Sequence, residues 1–173
     1  DACQKIFGRI EAVWKPVATD EAFEIVRRRL FKRVHNDSAR DDVCRAFADF
    51  YIEHGDKFPS DTKDGSYLRR LTASYPIHPE IFERLYEDWS TLPKFQRTRG
   101  VLRLMARMVH TLWRDNDRDL MVMPGSIPLY DNAVRNELIK YLPSGWDPIV
   151  DKDIDGDHSE PRKLDNDTPA LGS

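Results

Sequence analysis

"KFQRTRGVLRLMARMVHTLWR", residues 94–114, carries six basic residues and no acidic one in a chain whose formal net charge is −3. At about 100° per residue, Val101, Leu102, Leu104, Met105, Met108, Val109, Leu112 and Trp113 fill one broad arc. Arg99, Arg103, Arg107, His110 and Arg114 gather on the other side. The spacing predicts a long helix, buried along one side and cationic along the other. An apolar arc of that width needs partners, and the neighbouring segments supply further helices.

"TDEAFEIVRRRLFKRV" has Thr19 or Asp20 as a cap, acids in the first turn and bases in the last, with Phe23, Val26, Leu30 and Val34 on one face. "DSARDDVCRAFADFYIEHG" repeats the pattern, with Val43, Phe47, Phe50 and Tyr51 predicted inward and Gly55 as the stop. The charged connector "DKFPSDTKDGS" reads as a loop. "SYLRRLTASYPIHPEIFERLYEDW" then gives a short helix, a proline-marked turn and a second helix beginning near Pro79, where a proline forfeits no hydrogen bond. His78 is expected to orient that turn. "DNAVRNELIKYL" returns to helical spacing through Val134, Leu138 and Leu142, with Asp131 as cap. Two pieces, "GRIEAVW" and "DLMVMP", read as short strands. The fold class is therefore mainly α, a helical bundle with one or two short strands and an extended acidic tail.

Composition sets the outer bounds. The 173 residues suffice for one domain with a core of its own, and a composition of 40% hydrophobic and 33% charged residues describes a soluble globular chain. No apolar run approaches the roughly 20 residues of a membrane helix, and the opening "DACQKIFGRI" lacks a signal peptide's apolar stretch and a methionine. A cytoplasmic segment of a longer polypeptide, without a membrane partner, is the expectation. Cys3 and Cys44 form no C-x-x-C pair and are read as a tail thiol and a buried one. His35, His54 and His78 show no zinc spacing. Trp14, Trp89, Trp113 and Trp146 are expected in the core or against missing parts of the parent. From residue 147 onward seven aspartates and one glutamate face three bases, which reads as an extended or disordered tail. Within it Asp151, Asp153, Asp155 and Gly156 begin like a calcium loop, but Arg162 stands where the bidentate glutamate belongs, so no metal is expected.

The arginines point toward phosphate. A planar guanidinium fork suits phosphate oxygens, and Arg97 and Arg99 sit where the free N–H groups of a helix start already favour an anion. The competing reading is a solvated basic face balanced by the acids of "ERLYEDW". No glycine is followed by lysine anywhere in the chain, so the loop that cradles a nucleotide's phosphates is missing and the chain alone is not expected to be catalytic.

In the order "GRIEAVWKP", "TDEAFEIVRRRLF", "SYPIHPEIFERLYEDW", "KFQRTRGVLRLMARMVHTLW", "MPGSIPLYDNAVRNEL" and "GWDPIVDKDIDGDHSEPRKLD", the chain resembles the segment after the nucleotide-binding core in a poorly characterised prokaryotic AAA+ ATPase family. Members are often encoded beside adenine-specific DNA methyltransferases in presumed phage-defence clusters. "YPIHPE" followed by "FQRTRGVLRL" carries the most specific part of the likeness. The resemblance implies a helical lid whose sensor 2 arginine approaches the γ-phosphate of ATP, with magnesium, in the full-length parent. The family's pattern places that arginine three positions after a helix-start glycine, which makes Arg103 the first candidate, Arg99 the second and Arg97 the third. It also implies residues 1–18 as the end of the core or a linker, 19–115 as the lid, 116–146 as a strand-plus-helix extension and 147–173 as the tail. Partners would be the parent's own core and DNA or a DNA methyltransferase.

Two other classes fit some of the residues. The arginine stripe could lie along nucleic-acid phosphates, making the chain a binding module of a defence system. Arg103 and His110, separated by six residues, also match the loose R-x4–6-H pattern of HEPN-type ribonucleases, although Leu104 stands where those enzymes usually carry a polar residue.

Overall fold

The computed structural model describes residues 19–89, 92 and 97–167. Eight α-helices lie in this order: α1 Thr19–Leu30, α2 Asp37–Glu53, α3 Gly65–Ser74, α4 Pro79–Glu87, α5 Arg97–Arg114, α6 Asn132–Ile139, α7 Trp146–Asp153 and α8 Glu160–Asp167. Short 3-10 turns occupy Ser60–Lys63 and Pro124–Ser126. The chain is a helical bundle, as its periodicities predict, and α5 runs through its middle, packed on α1, α4 and α6.

The helix boundaries have local causes. Asn36 caps α2 by accepting from the Ala39 N–H at 3.0 Å, and Asp131 caps α6 by accepting from Ala133 and Val134 at 2.8 and 3.2 Å. Pro79 is the first residue of α4, and His78 before it accepts the Glu80 N–H on Nδ1 at 3.3 Å, so the orienting role expected of His78 takes the form of a helix cap. At the end of α5, Asn116 adopts φ 57°. Its N–H donates to the Trp113 carbonyl and that of Asp117 to the Leu112 carbonyl, a Schellman stop with asparagine in the left-handed position.

Two apolar clusters share the interior. The larger joins Phe23 and Val26 of α1, Ile81, Phe82 and Leu85 of α4 and Val101, Leu104, Met105 and Met108 of α5, with Ile77 and Val134. The smaller joins Cys44, Ala48 and Tyr51 of α2, Tyr67 and Leu71 of α3, and Met121. Burying each large side chain is worth about 1.5–3 kcal/mol, whereas an exposed ion pair gives about 1 kcal/mol or less. Packing, more than its ion pairs, therefore holds α5 in place.

Several expectations need correction. α1 ends at Leu30, so Val34 lies beyond the helix that was expected to carry it. On α2 Tyr51 is buried and Val43 and Phe47 pack against the smaller cluster as expected, joined by Cys44 and Ala48, while Phe50 is about half exposed. Trp113, placed on the apolar arc of α5, is 78% exposed, because the buried side of the helix ends at Leu112 and the chain turns away at Asn116. Trp146 is also exposed, whereas Trp89 packs against the larger cluster. The connector over residues 56–66 holds a 3-10 turn.

"DLMVMP" is not a strand but a single parallel bridge, Val122 to Ile77, and no strand occurs among the described residues. Its alternation is nevertheless meaningful. Met121 and Met123 face the smaller cluster and Val122 faces the larger. "GRIEAVW", Cys3, Trp14 and residues 1–18 as a whole lie outside the described residues.

The acidic tail is not extended as far as Asp167, since α7 and α8 occupy most of it. Several of its charges are paired. Arg135 of α6 donates to Asp147 at 2.8 Å and reaches Asp151 at 2.5 Å, Arg162 holds Asp155 at 2.9 Å, and Val150 inserts into the interior. Gly156 closes the turn after α7 with its Cα against the Asp151 backbone, where a Cβ would overlap the carbonyl.

Candidate functional site

The cations of α5 grade from open to occupied along the helix. Arg97 is its first residue, with a side chain outside the described residues. Arg99 is exposed and makes no ion pair with a described residue. Arg103, one turn on, is 51% exposed and its Nε stands 3.9 Å from the Glu137 carboxylate. Arg107 lies closer to the same carboxylate, at 3.5 Å, and donates to the Ala133 carbonyl at 3.0 Å. Arg114, at the far end, is fully engaged, donating to Asp115 at 2.9 Å and to Asp131 at 3.2 Å. Those contacts hold the Asp115 carboxyl below the usual range, first through Arg114 and then through the Tyr130 hydroxyl.

Glu137 explains the gradient. It is 3% exposed, on the core-facing side of α6 one turn after Val134, and it accepts from Lys140 and from the Tyr141 hydroxyl at 3.1 Å. A buried carboxylate needs partners, and Lys140, Tyr141 and Arg107 satisfy it without Arg103. Arg103 is thus tethered loosely and can swing to another anion. Sequence reasoning passed over Glu137; the available signal was a single acid on the apolar side of "DNAVRNELIKYL".

His110 is exposed on α5, two turns from Arg103, and the alternative pairing of these two residues gains no third partner among the described contacts. The calcium-like aspartates are drawn apart, Asp151 to Arg135 and Asp155 to Arg162. Among the described residues no group of three or more His, Cys, Asp or Glu could hold a metal ion.

A second polar cluster sits between α2, α3 and α4, and the sequence did not point to it. Arg70 donates to Glu83 and, at 3.1 Å, to Asp61, and lies 4.7 Å over the Tyr67 ring. Beside it His78 is buried, with Nε2 3.0 Å from the Tyr51 hydroxyl. Because Nδ1 accepts the Glu80 N–H, the ring proton belongs on Nε2, which donates to the Tyr51 oxygen. Burial pushes the imidazole down to about 4 and raises the Tyr51 and Tyr67 hydroxyls. Arg70 and His78 spend their donors on partners from neighbouring elements, so the cluster joins helices.

The family follows from comparison with known proteins. Residues 18–171 match the family described as the DUF499 second domain. The chain belongs to that family. The match takes in all eight described helices of the bundle. No curated protein and no solved structure matches the chain. No described helix is long and apolar enough to cross a membrane.

Proposed function

We propose that this DUF499 second domain is the helical lid of a prokaryotic AAA+ ATPase and supplies a sensor 2-type arginine to ATP bound, with magnesium, by a core outside this chain. Arg103 is the first candidate for that role, with Arg99 and Arg97 beside it. The observation that carries the reading is the loose tether of Arg103. Its guanidinium is half exposed near the start of a helix anchored by packing, and the one carboxylate in its reach among the described residues is satisfied by other residues.

Residues 19–115 would form the lid proper and residues 116–146 an extension behind it, tied to the lid where Arg103 and Arg107 reach Glu137. A guanidinium drawn onto the charge of a bound triphosphate pulls its helix with it, and loss of the phosphate releases it. No phosphate-binding loop exists in this chain, so turnover would belong to the whole parent, in the cytoplasm. Its partners would be the parent's core and, in a phage-defence setting, DNA or a DNA methyltransferase.

Arg103→Ala in the full-length parent is expected to lower ATPase turnover about 100-fold or more, as loss of a charge-stabilising donor does elsewhere. The helical circular dichroism should stay unchanged. Unaltered turnover in Arg103→Ala, Arg99→Ala and Arg97→Ala alike would refute the assignment.

A further inference from the structure

The densest basic stretch of the chain is not on α5. "RRRLFKR", residues 27–33, places five cations at the end of α1 and in the segment that follows it. There they border a groove of about 410 Å³ lined by Arg27, Arg28, Lys32, Arg33 and Arg40, with Asp37 the one acid on its walls. Arg40 also lines a second groove of about 470 Å³, which continues between α2 and α3 past Arg45 and Arg69, with Asp41 its one acid. The two grooves make one track. Seven cations and two acids line it, in a chain that is net negative overall.

Local pairing does not use up this charge. Arg28 is held by Glu24 at 2.6 Å, and Arg40 by Asp37 and Asp41 at 3.0 and 2.7 Å. Arg27 stands 4.0 Å from Glu24, and its Nε is buried without an acceptor. Lys32, Arg33 and Arg69 are exposed and make no ion pair with a described residue. Like charges this close repel one another, and neither hydrogen bonding nor core packing explains why three elements bring them together.

We infer that the track from Arg27 to Arg69 binds the phosphodiester backbone of single-stranded nucleic acid. Its form argues for a polymer. Lys32 and Arg33 line the first groove and Arg69 the second, with Arg40 common to both, an arrangement suited to successive phosphates of one strand rather than to a single phosphate. Six of the seven cations are arginine, whose fork grips phosphate oxygens in pairs. Phe31, lining the first groove, adds an apolar face of the kind on which a base can rest. The track shares no residue with Arg97, Arg99 and Arg103, so it stands or falls separately from the ATPase reading.

The test is fluorescence anisotropy of the 173-residue chain with a labelled single strand of about 20 nucleotides, titrated from about 50 to about 200 mM salt. Binding that weakens steeply with salt is expected. Lys32→Gln/Arg33→Gln/Arg69→Gln should cut affinity at least about 10-fold and lower the logarithmic salt slope by about 2, since each phosphate contact on a single strand contributes about 0.7. All three side chains are exposed, and circular dichroism verifies that the fold persists. Four results would overturn the inference: no binding at the lowest salt, unchanged affinity in the triple variant, loss confined to Arg99→Gln/Arg103→Gln, or competition by polyglutamate as strong as by unlabelled DNA.

Discussion

His78 does three jobs with one ring. It caps α4 through Nδ1, bonds Tyr51 of α2 through Nε2, and fills space beside Tyr67. Desolvation is the main cause of its depressed pKa; Arg70 lowers it further, and Glu80 partly opposes both. The neutral ring is the one that fits, because protonating Nδ1 would remove the acceptor that the Glu80 N–H needs. In the unfolded chain the imidazole titrates near 6.5, and in the fold near 4. Between those values the unfolded state binds the extra proton. The contribution of His78 is thus complete above about pH 6.5 and is lost as pH falls toward 4, by an amount on the order of 3 kcal/mol. Urea denaturation at pH 7 and pH 4.5 should show this loss. His78→Asn, which can still cap the helix but cannot titrate, should flatten the difference; an equal pH response in that variant would assign the loss to other groups.

At the scale of elements, α5 and α6 meet over a carboxylate that the helix-face pattern would have made apolar. Glu137→Gln keeps the shape but removes the charge that Arg107 and Lys140 share. Both cations are partly exposed and can regain water, so the expected cost is about 1–3 kcal/mol, below that of stranding a fully buried charge. A guanidinium melt measures it, and a midpoint within error of wild type would show that the carboxylate contributes no net stability. The α5 pattern itself was legible because its apolar residues recur at 3.6-residue spacing, and Val101, Leu104, Met105, Met108 and Leu112 are buried as the wheel requires. Trp113 was misread because periodicity describes a face and not where the neighbouring layer stops. α7 and α8 were misread because acidic composition says nothing about an arginine 12 residues upstream of the first aspartate it holds. The candidate arginines were visible in sequence, whereas the grading of their freedom was not, since it depends on Glu137, which folding brings beside them from 34 residues beyond Arg103.

At the scale of the whole molecule, the described residues form two cores rather than one, and residues 121–123 run between them. The strand expected there reduces to one bridge because the segment has a single backbone neighbour, but two hydrogen bonds fix it: His78 N–H to the Val122 carbonyl and Val122 N–H to the Pro76 carbonyl, both at 2.9 Å. Side chains on either side of that backbone enter opposite cores. Neither half can therefore loosen without disturbing a thread stitched into the other. Such a seam makes the domain melt as one body, and it hands any strain felt by α5 to the α2–α3 half. In deuterium exchange the amides of His78 and Val122 should be among the last to open, at the free energy of global unfolding. If they exchanged early while the α5 amides stayed protected, the halves would be independent and the stitch merely decorative.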